Sequence, residues 1–329
     1  LKTYPALSTD QRTPPVTPGA ALTSGPRRGA GRRWTFQWAP YILLAPFIVL
    51  FGSFLIYPAI SSVLTAFQSA PNDPQARWVG LTNFVRVFED PLFIAALGNT
   101  AFFMTVSVLV IFPVSLGLAL LVHPLWVRGQ AIFRVLLIVP AVVAPVVSVI
   151  MFQIILGMNG VLNSALRSIF EGYESIDFFN DPTWSRWTVA LIFVWRWTGF
   201  TMIYFAAGLA SVSRELEEAA TVDGANAWQR LWAVIWPQLQ PIRILVLLLV
   251  VQGAAQIFDE PKIVSGQTGA GPGNTLISLT MYVYTAGFGQ GRFGPANAAA
   301  LILMVCLFVI SALILLAGRD NTRPRKGAR

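Results

Sequence analysis

Cysteine and histidine each occur once in this chain of 329 residues, as Cys306 and His123. A single thiol cannot close an intramolecular disulfide, and one thiol with one imidazole leaves no cluster able to hold zinc. No H-E-x-x-H or G-x-S-x-G run occurs, and no histidine stands beside a nucleophile, so nothing supports a metalloprotease, an esterase or an intramembrane enzyme. Charge is scarce as well: Asp, Glu, Lys and Arg make up 12% of the residues. The net charge of +8 lies at the two ends and between apolar runs, which is not the clustered stripe of a nucleic-acid binder. What the chain has in excess is apolar surface, with 55% hydrophobic residues and a mean hydropathy of +0.63. A soluble core of this size cannot absorb that surplus, and lipid can.

Crossing about 30 Å of hydrocarbon at 1.5 Å per residue takes roughly 20 mostly apolar residues. Six segments meet or approach this, near Tyr41–Phe67, Phe93–Val122, Ala131–Leu156, Trp187–Ala210, Ile242–Phe258 and Ala296–Ala317. A non-spanning lead-in is expected at Leu92–Ala96, and Pro140 and Pro145 should kink the third segment. The predicted fold is an all-α, polytopic membrane protein with six transmembrane helices and a cytoplasmic helix-turn-helix loop. Residues 1–36, rich in Pro, Thr, Gly, Ser and Arg, read as a disordered cytoplasmic tail and not as a secretory signal. Residues 37–318 form the membrane domain and 319–329 a basic tail. With both termini in the cytoplasm, sixteen Lys and Arg residues fall on the inner side and six outside, leaving Arg196 within a helix. The expected location is thus the cell membrane, crossed several times with both termini in the cytoplasm.

The same topology puts Ser213–Pro241 inside. Ser213 can cap a first short helix, Glu215, Glu217 and Glu218 favour its positive end, and Asp223–Gly224 supply a bend that Asp223 or Asn226 can recap. Trp228, Leu231, Trp232 and Ile235 then recur at the spacing of one helical face, up to Pro237. An apolar face of this kind can lie in the lipid interface, pack on the protein's own helices, or dock in a groove of a partner.

The run Glu218, Ala219, Ala220, Asp223, Gly224, with Pro237 thirteen residues on, resembles the E-A-A loop of binding-protein-dependent ABC transporter permeases, in its details the maltose-type sugar permeases. Trp78–Phe93, Ala96–Phe103, Phe133–Pro140 and Phe258–Thr275 are similar to first-subunit members of the same family, so the resemblance covers about Tyr41–Leu316. Val234 and Trp236 depart from the family's Ile and Leu, with apolar character kept. The resemblance implies a sugar-importer permease without ATPase motifs or cofactor of its own. It would act with a second permease, two cytoplasmic ATPase subunits that hydrolyse the ATP, and an extracytoplasmic solute-binding protein. Glu218, Ala219, Ala220, Asp223, Gly224, Trp228, Leu231, Trp232 and Pro237 would couple it to the ATPase.

Arg196, between Trp195 and Trp197, sits in the fourth apolar segment, where a bare cation costs about 2.5–3.5 kcal/mol. It is either a structural cation paired with carbonyls or a carboxylate, or one wall of a solute pathway with its two tryptophans. Ser265–Thr275 places Gly266 and Gly271 at phosphate-loop spacing, but Pro272 stands where a Walker lysine is needed, and a turn-rich external loop is expected; the resemblance implies, as a second reading, contact with the solute-binding protein there. Asp259 and Glu260, adjacent and followed by Pro261, read as a helix boundary and not as a catalytic pair. The alternative to a permease subunit is a free-standing ion-coupled transporter, which calls for interrupted helices and a mid-membrane carboxylate. The sequence offers no acidic residue within the spans away from helix ends. It does not name the solute.

Overall fold

The computed structural model describes residues 39–69, 77–122, 130–266 and 269–320. The expected N-terminal tail, His123, Arg128 and most of the basic C-terminal tail lie outside those residues. Two units divide within the first helical run. Of the first, residues 39–52 are described: helix α1 (Ala39–Phe51), with Phe47 stacked on Phe51.

The second unit continues through a π turn at Gly52–Ile56 into α2 (Tyr57–Ala66) and is helical nearly throughout. Among the described residues its one β feature is the bridge between Gln68 and Trp78. Prolines set several boundaries, because a residue before proline is driven out of the α region. Asp90 is extended ahead of Pro91, which separates α3 (Thr82–Glu89) from α4 (Pro91–Leu121), and its carboxylate caps α4 by accepting from the Leu92 N–H at 2.9 Å. The non-spanning lead-in is therefore α3, and not Leu92–Ala96, which belongs to α4 itself. Ala144 is extended before Pro145, so the third apolar segment is two helices, α5 (Gln130–Val142) and α6 (Pro145–Leu156), broken rather than kinked. Pro140 is absorbed within α5. Next come α7 (Val161–Ile169) and α8 (Ser185–Ala210).

The rest of the chain forms α9 (Arg214–Val222), α10 (Ala227–Arg230), α11 (Trp236–Gln238), α12 (Gln240–Ala255), α13 (Asp259–Ser265), α14 (Leu279–Tyr284) and α15 (Phe293–Asp320). Six helical runs are long and apolar enough to cross a membrane: Pro40–Ala66, Pro91–Leu121, Pro145–Ile169, Ser185–Ala210, Gln240–Ser265 and Phe293–Arg319. These confirm the all-α, six-span expectation.

Phe103, Ile111, Phe193, Met202, Phe205, Val246 and Val250 build the larger core, where α4, α8 and α12 meet. A second core joins α2, α3, α4, α14 and α15 through Phe93, Ala96, Tyr282, Ala298 and Ala299. Polar side chains pin the loop before α14 to α4: Asn99 donates to the Asn274 and Ile277 carbonyls at 2.8 and 3.0 Å, and Thr100 accepts from the Leu279 N–H at 2.9 Å. Buried Tyr282 donates to Asp90 at 2.9 Å. Burial and the neighbouring carboxylate both push the phenol pKa up and keep it protonated.

Candidate functional site

Two constellations stand out, one on an exposed helix pair and one between spans. In the first, α9 ends in a turn whose hydrogen bonds are all made: Ala225 N–H to the Ala220 carbonyl at 2.9 Å and Gly224 N–H to the Thr221 carbonyl at 3.1 Å. That pattern is a Schellman motif, which needs a left-handed residue, and Gly224 has φ +80° with open space around its Cα. Asn226 then caps α10 through a reciprocal box with Gln229, both bonds at 2.8 Å. Ser213 occupies the cap position of α9, but its side chain makes no cap bond; its N–H instead reaches Gln238 Oε1 at 3.3 Å and ties the two ends of the segment together. Arg230 donates to Thr221 Oγ1 at 2.9 Å and clamps the pair of helices.

Helical winding continues from α10 through a π turn at Leu231–Ile235 into α11, so Pro237 does not end the helix but lies inside its last turn. Trp228, Trp232 and Trp236 form a ladder of ring contacts at 5.6 and 4.9 Å, closed by the Arg243 guanidinium 3.9 Å above the Trp236 ring. The face is divided. Ile235 packs against the larger core, Leu231 is half-buried, and Trp228 remains 67% exposed. Glu218, Ala219, Asp223 and Gly224 are exposed beside it, and Ala220 is half-buried.

The second constellation centres on Arg196. Eleven residues into α8, about 16 Å along its axis, its Nη1 donates to Glu260 Oε1 in a buried ion pair. Arg196 therefore has a carboxylate partner, one that sequence pattern assigns to a helix boundary. The boundary is real, but it falls inside a span. Between α12 and α13 the backbone leaves the helix at 256–258, and the Ile257 carbonyl freed there accepts from Ser278 Oγ at 2.6 Å. Glu260 and Pro261 are buried in the first turn of α13. Irregular backbone at this depth persists only where protein or a wet cavity satisfies it.

Next to the pair, Ala141 of α5 and Arg196, Trp197 and Phe200 of α8 line a half-open cavity of about 150 Å³. Arg196 Nε is buried beside it without a hydrogen-bond partner. Trp195 turns elsewhere and meets Phe152 of α6 edge-on at 5.5 Å, so only two of the three clustered aromatic and cationic residues share the cavity. Sequence reasoning misses Phe200 and Ala141 because neither side chain carries a chemical signal. It misses Glu260 as a partner because 64 residues separate it from Arg196.

With this geometry in view, comparison with known proteins is decisive. The family described as "Binding-protein-dependent transport system inner membrane component" matches residues 97–321. The chain belongs to this family. It is a multi-pass permease of the inner membrane, the transmembrane subunit of a binding-protein-dependent ABC importer and not its ATPase. The permease is 30% identical to the lactose transport system permease protein LacF of Rhizobium radiobacter over 85% of this chain and 94% of that one. It is 31% identical to the arabinooligosaccharides transport system permease protein AraP of Bacillus subtilis (strain 168), over 91% and 93%. Among solved structures, a chain of a bacterial ABC transporter involved in the import of the acidic polysaccharide alginate superposes with a TM-score of 0.77 at 27% identity, covering 87% of this permease and 96% of that chain.

Proposed function

We propose that this permease carries a sugar or related solute, delivered by an extracytoplasmic binding protein, along a path walled by Arg196, Trp197, Phe200 and Ala141. A second permease subunit completes the path, and two cytoplasmic ATPase subunits drive it. The names of relatives that transport lactose and arabinooligosaccharides support a carbohydrate solute. Residues 37–318 serve as the permease domain between cytoplasmic tails, an orientation supported by the distribution of Lys and Arg.

The segment α9–α11 is the coupling element, with Glu218, Ala219, Ala220, Asp223, Gly224, Trp228, Leu231, Trp232 and Pro237 as its working residues. The observation that carries this reading is a helix pair tied by a Schellman turn, a capping box and the Arg230–Thr221 bond and presenting an exposed tryptophan edge. The helix that bears Trp228 is capped by Asn226 and the ring meets Trp232 edge-on, yet two-thirds of Trp228 is uncovered. A pre-organised aromatic beside small residues and a carboxylate is the chemistry of an interface anchor. Glu218 offers its carboxylate to a basic or hydrogen-bonding partner, and the Ala219–Ala220 pair lets the partner approach closely.

The test is solute-stimulated ATP hydrolysis by the reconstituted importer carrying Trp228→Ala with Trp232→Ala, or Glu218→Ala. Loss of stimulation and weaker retention of the ATPase by variants that insert normally is the expected result. Stimulation equal to the unmodified importer would refute the coupling role.

A further inference from the structure

The cavity beside Arg196 contains a guanidinium, yet it is electrostatically balanced. Arg196 is the one charged residue among the described residues that line it, and Glu260 sits directly against it with its side chain 4% exposed. Within two residues of Glu260, α13 carries one further charge of each sign, Asp259 and Lys262, with the Lys262 ammonium held 5.8 Å above the Tyr284 ring. An anionic solute entering here would lose hydration and gain no net attraction, because the carboxylate cancels the guanidinium at nearly the same point. A neutral polyol loses less. It finds Arg196 as a lining residue with N–H donors for a hydroxyl oxygen, and the Trp197 and Phe200 rings as apolar walls for the carbon face of a sugar.

We infer that Glu260 is a specificity-determining residue: by holding the Arg196 guanidinium in a buried ion pair, it makes this stretch of the path select uncharged polyhydroxylated solutes over carboxylated or phosphorylated ones. The inference rests on the proposed path through the Arg196 cavity. It puts the solute with the uncharged sugars and apart from acidic glycans.

Cys306 makes a direct test possible, since its replacement leaves the chain free of thiols. In a Cys306→Ser background, Ala141→Cys places one thiol on the cavity wall. Its rates of modification by the anionic 2-sulfonatoethyl and the cationic 2-trimethylammonioethyl methanethiosulfonates are measured in the assembled importer, each divided by the rate for a free thiol. With the pair intact, the two normalised rates should agree within about threefold. Glu260→Gln should raise the anionic rate over the cationic by about tenfold or more, Arg196→Gln should reverse the bias, and the double variant should return it to balance.

In parallel, uptake of neutral disaccharides should become sensitive to competition by the same disaccharides oxidised to the uronate in Glu260→Gln and in no other variant. Should Glu260→Gln fail to assemble, the reversed bias of Arg196→Gln and the balanced double variant still decide. If the thiol introduced by Ala141→Cys reacts but its rate ratio is unmoved by either single substitution, the role of Glu260 is overturned while the path stands. If neither reagent reaches that thiol in any variant, the path itself is overturned.

Discussion

Replacing Gly199 by alanine adds one methyl group, and the structure gives it no room. Gly199 faces α5 where α8 crosses it. A Cβ built there overlaps the Leu137 carbonyl oxygen and lies 2.7 Å from the carbonyl carbon. Both atoms are backbone, so no rotamer change relieves the clash. Restoring the 3.4 Å at which ordinary contact begins takes about 0.7 Å for the carbonyl carbon and well over twice that for the nearer oxygen, so α5 must move away and carry Ala141 and the cavity wall with it. Overpacking of this kind costs about 1–3 kcal/mol. Two other glycines supply the scale. Gly208 meets side-chain atoms of Ile242 and Leu239 at 2.8–3.2 Å, which can partly give way, so Gly208→Ala should cost about 1 kcal/mol. Gly98, inside α4, has nothing within 4 Å, and Gly98→Ala should stabilise by up to about 1 kcal/mol through helix propensity. Thermal unfolding of the isolated subunit in detergent, followed by tryptophan fluorescence, should rank Gly98→Ala above the unmodified chain, then Gly208→Ala, then Gly199→Ala. Gly199→Ala should also slow uptake in the assembled importer. A Gly199→Ala subunit that melts with the unmodified one and transports normally would refute the close α5–α8 crossing and the cavity wall built on it.

Gly224→Ala should strain the left-handed turn by about 1–2 kcal/mol and lower solute-stimulated ATP hydrolysis, while Gly224→Asn, better tolerated at positive φ, should lose less; equal loss would point to size and not backbone. Ser278→Ala removes both the donor to the Ile257 carbonyl and the cap of α14, whose Met281 N–H it accepts at 3.2 Å, and should lower stability by about 1–3 kcal/mol in the same melting assay. Because the Tyr282 phenol is held protonated in the fold, its folded pKa lies above the unfolded one. Its stabilising contribution is complete below about pH 10 and is lost as pH rises beyond it, a slope that Tyr282→Phe should abolish. In whole cells, uptake should stop on ATP depletion and survive collapse of ion gradients, the reverse of an ion-coupled carrier.

Much of this architecture is legible from residue order, because lipid imposes a length and a polarity on every span. The E-A-A loop is legible for a similar reason: Asp223–Gly224 and Asn226 announce a turn and a new cap in local chemistry, and both are found. Where reading failed, the deciding forces were either steric at a proline or distant in sequence. Pro145 cuts a helix that hydropathy runs straight through, and Pro91 sets apart the short α3, which hydropathy leaves out. Pro237 failed to cut one: a π turn at Leu231–Ile235 directly precedes it, and helical winding carries on to Gln238. Ser213 stands where a cap belongs and its side chain does not cap; its backbone N–H donates to Gln238 from the far end of the segment.

The break between α12 and α13 carries the largest consequence. An interrupted helix presenting a carboxylate within a span is what a free-standing carrier would use to bind its coupling ion. Residue order alone reveals no such carboxylate, and the structure supplies one in Glu260. Its environment nevertheless argues against that use. A coupling site must bind and release a cation in each cycle, whereas Glu260 already faces a permanent cation on a neighbouring helix, and a guanidinium does not deprotonate. Removing either partner leaves an uncompensated buried charge at a cost of about 3–5 kcal/mol, while replacing both with uncharged groups of similar volume is often nearly neutral. The pair therefore joins α13 to α8 as a unit, and the energy for moving that unit has to arrive from outside the span. The exposed helix pair α9–α11 meets this requirement through covalent continuity: α9 follows α8, and α11 runs directly into α12. A push on the Trp228 edge would thus reach Arg196 through α8, and Glu260 through α12 and the break at 256–258 that leads into α13, which ties the proposed coupling element to the proposed solute cavity.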